Sequence, residues 1–125
     1  MLILNEPFCN EKFIEVNTLE DIKNSPSNFT LIFHYNNNNL DLYKFCNVNN
    51  IEYAVKVDII KELIFIANFK AKYAFIDNME TATEMQKIAE NYLLDTKIIY
   101  LANSLDEIEK IAKLGIDGIK LKENK

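Results

Sequence analysis

The chain contains 125 residues, of which 49% are hydrophobic and 26% are charged. These values describe one globular domain, because domains typically hold roughly 100 to 200 residues. Nineteen acidic residues outnumber fourteen basic ones, and every basic residue is a lysine. Without arginine the chain lacks the bidentate contacts that recognise phosphates and guanine edges, which argues against nucleic-acid binding.

The cysteines and the single histidine exclude several kinds of site. Cys9 and Cys46 lie far apart with no second cysteine or histidine close to either, so neither a redox pair nor a zinc cluster is expected. No apolar run approaches the roughly 18 residues of a membrane-spanning helix, and the N-terminus lacks the basic start of a signal peptide. We therefore expect a cytoplasmic protein with reduced thiols, without a metal or another cofactor, and without membrane contact.

Short β-rich runs alternate with helical stretches along the chain, which is typical of a parallel sheet flanked by helices. A weak run at residues 13–16 opens the chain, and a short helix follows at Leu19–Asn24. Five clear runs come next, at residues 29–35, 51–57, 72–77, 97–102 and 117–121. Residues suited to N-capping a helix follow the runs, namely Thr18, Asn38 or Asn39, Asp58, Asn78 or Thr81, and Ser104.

Charged residues rank these runs by burial, because a strand covered on both faces is continuously apolar whereas an edge strand can carry charges. The run at 51–57 carries Glu52 and Lys56, and the run at 117–121 carries Lys120. The other three clear runs are almost wholly apolar. We therefore expect the two charged strands at the margins of the sheet.

These assignments predict an α/β fold with three layers: a doubly wound, five-stranded parallel sheet with helices on both faces. Numbered in chain order, the five clear strands take the order 2-1-3-4-5, which is the flavodoxin-like arrangement. Residues 1–28 then form an N-terminal strand–helix extension at one side. Residues 29–125 form the flavodoxin-like core of the same single domain.

The second half of the chain carries a series of features that occur together in one family. One strand run ends in Asp77 and is followed by Met79, a later run ends in Ala102, and Lys120 and Lys122 close the last run. Over residues 29–123 the chain thereby resembles the receiver domain of bacterial two-component response regulators. The resemblance implies that Asp77 stands at the phospho-accepting position, Ala102 at the position of a hydroxyl residue, and Lys120 or Lys122 at that of a conserved cation.

Two departures from the receiver pattern change what the resemblance implies. A receiver holds Mg²⁺ with two adjacent carboxylates at the end of its first strand, and the metal neutralises the phosphoryl oxygens during transfer. The matching residues here are His34, Tyr35 and Asn36, none of which is acidic. Ala102 also lacks the hydroxyl group, although Ser104 is close by. The sequence therefore predicts a degenerate receiver, or pseudo-receiver, that takes up no phosphate.

Polar residues follow the predicted strands at the edge where open α/β sheets bind ligands. The candidate crevice residues are His34, Asn36, Asp58, Asp77, Asn103 and Ser104. Asp77 and His34 are a possible acid/base pair if both reach the same crevice, whereas helix capping alone also selects Asp and Asn at such positions. Lys56 is either a candidate Schiff-base lysine or, more simply, a solvent-facing lysine that protects an edge strand.

The helix at residues 58–71 places Phe65 and Phe69 opposite its apolar face, a pattern typical of a protein–protein contact. The alternative is that the N-terminal strand and helix cover these rings.

Two functions remain. We favour a non-enzymatic interaction or regulatory module, a homodimer or a partner of another protein through helix 58–71, with no catalytic residue. The alternative is a small-molecule-binding protein or enzyme that uses the crevice near His34 and Asp77, and a pocket of several hundred Å³ there would favour it.

Overall fold

The computed structural model describes residues 1–123 and contains one sheet of seven parallel strands. The strands are β1 Leu2–Ile3, β2 Lys12–Glu15, β3 Phe29–His34, β4 Tyr53–Lys56, β5 Tyr73–Ile76, β6 Lys97–Ala102 and β7 Gly118–Leu121. Within this part of the chain the α-helices are α1 Leu19–Asn24, α2 Leu40–Val48, α3 Ile60–Asn68, α4 Met79–Asn91 and α5 Ile108–Lys113. Short 3₁₀ helices at Asn37–Asn39 and Leu105–Glu107 precede α2 and α5. The predicted alternation of strands and helices in an α/β fold is confirmed.

The number and order of the strands differ from the prediction. The sheet order is β1-β7-β6-β5-β4-β3-β2, so the five strands that the sequence marked clearly lie side by side in chain order. The predicted five-stranded sheet with the order 2-1-3-4-5 is therefore wrong. The weak opening run is β2, which pairs with β3 and forms one edge of the sheet. β1, which the sequence did not predict, pairs with β7 and forms the other edge.

The charges that suggested edge strands have another explanation. Glu52 precedes β4, and Lys56 is the last residue of β4, where a side chain can extend beyond the end of the sheet. Both β4 and β7 are internal strands. Lys120 is buried inside the fold although it carries a charge. A charge at the end of a strand, or over an aromatic ring, does not require the strand to be at an edge.

The helices pack on one face of the sheet only. Crossovers of one hand between successive neighbouring strands place every helix on the same side. The larger core cluster joins helix residues such as Leu63, Ile66 and Met85 to strand residues such as Phe33 and Val55. A second cluster, on the other face, contains strand and loop residues without a member from any helix: Leu4, Ile32, Ala54, Tyr73, Phe75 and Ile99. The predicted doubly wound, three-layer arrangement is therefore wrong.

The sheet covers this second face by curling. Five strand spacings separate β2 from β7, which is roughly 24 Å in a flat sheet. Instead, the Lys120 Nζ atom of β7 lies 5.2 Å from the centre of the Phe13 ring in β2. The same ring lies 6.0 Å from the ring of Phe75 in β5. β7, the strand next to the β1 margin, thus approaches the β2 margin across an enclosed inner face, as in a barrel that is open between β1 and β2.

A polar cluster closes the amino-terminal end of this inner face. The Glu11 carboxylate accepts hydrogen bonds from Thr30 Oγ1 at 2.5 Å, from Tyr73 Oη at 2.6 Å and from Lys72 Nζ at 3.0 Å. Lys72 also donates to Glu52 at 2.6 Å. These contacts join the segment before β2 to its ladder neighbour β3 and also to β5, with which β2 shares no ladder.

Candidate binding site at the carboxyl ends of the strands

A cavity of about 300 Å³ opens at the carboxyl ends of the strands, on the enclosed face. Successive residues of a strand point to opposite faces, so the inward positions of neighbouring strands form layers. The last residues of β2, β3 and β4 are Glu15, His34 and Lys56, and all three line the cavity. The other polar lining residues are Asp77, directly after β5, Lys120 of β7, and Lys122 and Glu123, which follow β7. Apolar walls below them are formed by Ile32, Phe75 and Leu101.

Two carboxylates hold the Lys56 ammonium group. Its Nζ atom lies 2.9 Å from Asp58 Oδ1 and 3.5 Å from Asp77 Oδ2. Burial by itself lowers the pKa of Lys56, but the hydrogen bonds and charges of the two carboxylates outweigh it and raise that pKa. Lys56 therefore stays protonated, which makes it a poor nucleophile. The geometry supports neither the Schiff-base interpretation of Lys56 nor the edge-strand one.

His34 and Asp77 line the same cavity, as the acid/base hypothesis requires, but each is engaged elsewhere. His34 Nε2 lies 3.3 Å from Glu15 Oε1, and the histidine side chain is 64% exposed. Asp77 contacts Lys56. The site therefore contains two separate polar pairs, His34 with Glu15 and Asp77 with Lys56.

Lys120 differs from the other charged groups of the cavity. The residue is only 6% exposed. Its Nζ atom lies over the Phe13 ring, and among residues 1–123 it makes neither an ion pair nor a hydrogen bond. The sequence assigned Lys120 only to an edge strand or to a receiver cation. Its inward position could be read from the strand alternation, but its burial depends on the curl of the sheet.

Three other residues that were predicted for the crevice lie at the starts of helices and form hydrogen bonds there. Asn36 Oδ1 accepts from the Asn38 amide and thereby caps the first 3₁₀ helix, while Ser104 Oγ accepts from the Asp106 amide. Asn103 donates its amide to Glu107. None of Asn36, Asn103 and Ser104 lines the cavity. Capping, the alternative that the sequence left open, accounts for Asn36 and Ser104, whereas Asn103 contributes only its backbone amide.

Asp58 has a different role from the predicted one. Ile59 occupies the N-cap position of α3, and the Asp58 amide donates to Glu62 Oε1 at 2.8 Å. The Asp58 carboxylate instead contacts Lys56 from outside the cavity. Thr18, Asn78 and Ser104, in contrast, cap helices as predicted.

Phe65 and Phe69 are both half-buried on α3 and at its end. Phe69 packs against the helix-side core, and Lys61 Nζ lies 5.6 Å from the centre of the Phe65 ring. Phe13, which belongs to the segment that was the alternative cover for these rings, packs on the enclosed face against Phe75. Ile59, just before α3, is 53% exposed.

A larger cavity, about 720 Å³, lies at the opposite end of the strands. Its lining includes Lys72, which already donates to both of the neighbouring carboxylates, Glu11 and Glu52. We prefer the smaller cavity as the functional site because it lies at the carboxyl ends of the strands, where parallel sheets bind ligands. It also contains Lys120, a largely buried residue whose nitrogen has no anionic partner in residues 1–123.

Other kinds of site find little support among the described residues. No group of three His, Cys, Asp or Glu side chains in residues 1–123 could hold a metal ion. Cys9 and Cys46 are free thiols, and burial raises the pKa of Cys46 to about 11. No helix in this part of the chain is long and apolar enough to cross a membrane.

Comparison with known proteins adds no assignment. The chain matches no model of a known protein family and no curated protein. The functional argument therefore depends on the geometry of the cavity.

Proposed function

We propose that the protein binds a small metabolite with a carboxylate or phosphate group in the cavity at the carboxyl ends of the strands. The observation that carries this proposal is Lys120, a residue that is only 6% exposed and whose ammonium group has no anionic partner in residues 1–123. Its nitrogen keeps contact with the solvent of the cavity, because no fully buried side-chain nitrogen in this part of the chain lacks a hydrogen-bond partner. Largely buried charges are normally paired and hydrogen-bonded, because an unpaired one loses much of its hydration without compensation. The face of Phe13 returns only about 2 kcal/mol of that cost. An anionic ligand group would provide the missing partner.

The surrounding charges direct an anion to Lys120 rather than to its neighbours. Asp77 is engaged with Lys56, and Glu15 contacts His34. Lys56 thus partly neutralises Asp77 before a ligand arrives, and Glu15 already has a hydrogen-bonding partner. This arrangement lowers the repulsion that an incoming anion would otherwise meet.

The size and walls of the cavity limit the ligand. A volume of about 300 Å³ is at the lower end of the range for small-molecule sites. Ile32, Phe75 and Leu101 provide apolar contact for a short carbon skeleton beside the anionic group. The proposal therefore excludes nucleotides and large cofactors in favour of small organic acids and small phosphate esters.

The test is a titration of the purified chain with succinate, phosphoglycolate and inorganic phosphate, followed by amide chemical shifts. We expect at least one of these anions to shift the amides of His34, Lys56 and Leu121. Lys120→Met should weaken that binding by about 30-fold or more, the equivalent of roughly 2 kcal/mol for losing one partner of a buried charge pair.

Lys113→Met is the matched control, because Lys113 is an exposed lysine on α5 outside the cavity. It should bind the same anion with the wild-type affinity. The proposal is wrong if none of the three anions binds at millimolar concentration, or if Lys113→Met weakens binding as much as Lys120→Met.

The interaction module on a pseudo-receiver scaffold stays a prediction. Its scaffold is less well supported than the cavity, because the strands follow chain order whereas the predicted flavodoxin-like order was 2-1-3-4-5. One observation nevertheless favours self-association through α3: Ile59 is 53% exposed and Ile60 is 36% exposed at the start of the helix, which also carries the half-buried Phe65. Exposed apolar side chains contribute roughly 25 cal/mol for each Å² that a partner covers.

We expect a weak homodimer in sedimentation experiments, and we expect Ile59→Ser with Phe65→Ser to convert it to a monomer. Tyr92→Ser is the control, because Tyr92 is an exposed aromatic residue at the far end of α4. A wild-type protein that is monomeric at high concentration would eliminate this contact, and so would a Tyr92 variant that dissociates equally well.

A further inference from the structure

We infer that Lys120 is a nucleophilic amine that forms a Schiff base with an aldehyde or ketone carrying the anionic group. This inference rests on the proposed function, because the same cavity must first admit a small anion. It assigns a covalent chemistry to the site and names the substrate class as small oxo acids and phosphorylated carbonyl compounds.

Only one of the three lysines that line the cavity suits this chemistry. Lys56 is held by Asp58 and Asp77 and remains an ammonium ion. Lys122 is exposed at the rim. Lys120 is more than nine-tenths buried, and in residues 1–123 no carboxylate binds its nitrogen. Its nitrogen can therefore attack a carbonyl carbon without first breaking an ion pair.

The surroundings of the Lys120 side chain also resemble those of nucleophilic lysines in general. Such lysines are activated in hydrophobic pockets or beside a second cationic group. Here Phe13 lies against the Lys120 nitrogen, Leu101 pairs with Lys120 across the strands, and the Lys56 ammonium group lines the same cavity. The side chain therefore lies against apolar groups in a cavity that a second, fixed ammonium group also lines.

The step balances without any redox partner. Lys120, which meets the anion as an ammonium ion, first releases one proton to solvent. The resulting amine attacks the carbonyl carbon, a C–N bond forms, and one amine hydrogen passes to the carbonyl oxygen to give a carbinolamine. The nitrogen lone pair then forms the C=N bond, and the C–O bond breaks. Both amine hydrogens leave with the carbonyl oxygen as one water molecule. Asp77, which lines the same cavity, can carry the proton between the nitrogen and the departing oxygen.

The experiment is reductive trapping of the full chain with pyruvate and sodium borohydride, read by intact mass and peptide mapping. We expect one reduced adduct per chain, on the peptide that contains Lys120. Lys120→Met should lower the trapped fraction by at least about tenfold, because the nucleophile is removed. An excess of succinate, an anion without a carbonyl group, should compete with trapping. Glyoxylate and glyceraldehyde 3-phosphate extend the test to other carbonyl probes.

Lys120→Arg separates covalent chemistry from anion binding and also covers the case in which the methionine variant does not fold. Arginine retains the charge but forms no Schiff base, so this variant should still bind succinate and should trap none of the three carbonyl probes. Lys113→Met should be trapped as the wild type is.

Four results would overturn the inference. Trapping spread over exposed lysines would show only general amine reactivity, and undiminished trapping in Lys120→Arg would place the adduct elsewhere. Succinate binding without trapping of any carbonyl probe would reject the Schiff base and leave the proposed anion site intact. Failure of every anion to bind would reject both.

Discussion

Replacing Glu11 by alanine should lower the free energy of unfolding at pH 7 by about 3 kcal/mol, measured by urea denaturation. Glu11 is the acceptor for three donors at the amino-terminal end of the enclosed face, and its side chain is only 15% exposed. The substitution leaves the hydroxyl groups of Thr30 and Tyr73 without their charged acceptor. It also removes a link from the segment before β2 to β3 and β5, which holds the curl of the sheet.

The same cluster predicts how stability depends on pH. Burial by itself raises the pKa of Glu11, but hydrogen bonds from Thr30, Tyr73 and Lys72 outweigh it and hold the pKa below its ordinary value of 4.5. The carboxylate therefore contributes stability that is fully present above that ordinary value and is lost as the pH falls through the lower pKa of the folded protein. Wild type should lose stability more steeply than Glu11→Gln between about pH 5 and pH 3.

Glu52→Ala is the matched control for the Glu11 variants. Glu52 also bonds to Lys72, but its side chain is 61% exposed, so its loss should change the unfolding free energy by no more than about 0.5 kcal/mol. Equal effects of Glu11→Ala and Glu52→Ala would show that the cluster acts as an ordinary surface ion pair. A steeper acid response in Glu11→Gln than in wild type would contradict the direction of the pKa shift.

The local features of the fold could be predicted from the sequence, because they depend on neighbouring residues. The apolar runs that became β3 and β6, and the caps at Thr18, Asn78 and Ser104, lie where composition and spacing placed them. The order of the strands could not be predicted in the same way. The ranking treated the charge of Lys56 as the mark of an edge, whereas Lys56 is at the end of an internal strand and reaches two carboxylates.

The residues of the candidate site also include some that could be predicted from the local sequence and some that could not. His34 and Asp77 were predicted for a crevice because they end strands, and both line the cavity. Lys120 was not assigned to that crevice as a ligand-binding residue. Its environment is created by Phe13, which belongs to β2, five positions away from β7 in the order of the strands. A contact of this kind depends on how far the sheet curls, and strand alternation carries no information about curl. Glu11, whose partners lie on distant strands, was missed for the same reason.

Gly118 lies at the start of β7, where the backbone of β1 packs closely against it. A Cβ atom at Gly118 would lie 2.8 Å from the Leu2 carbonyl oxygen, 2.8 Å from Leu2 Cβ and 2.8 Å from Ile99 Cδ1. Gly118→Ala should therefore lower the free energy of unfolding by about 2 to 3 kcal/mol, because overpacking forces the backbone of β1 to move. The hydrogen bonds from the Leu2 amide to Asp117 and from the Leu4 amide to Ile119 should weaken, and both amides should exchange hydrogen faster.

Gly115→Ala separates this clash from the ordinary cost of removing a glycine. Gly115 has φ +73° with nothing within 4 Å of its added Cβ, so the substitution should cost only about 1 kcal/mol of backbone strain. It should leave the Leu2 and Leu4 amides protected. Adding Ile99→Val to Gly118→Ala tests which contact matters, because it relieves the clash with Ile99 Cδ1 and leaves the clash with the Leu2 carbonyl. If that double variant recovers wild-type stability and hydrogen exchange, Gly118 is needed only to make room for the Ile99 side chain, and the pairing of β1 with β7 does not depend on it.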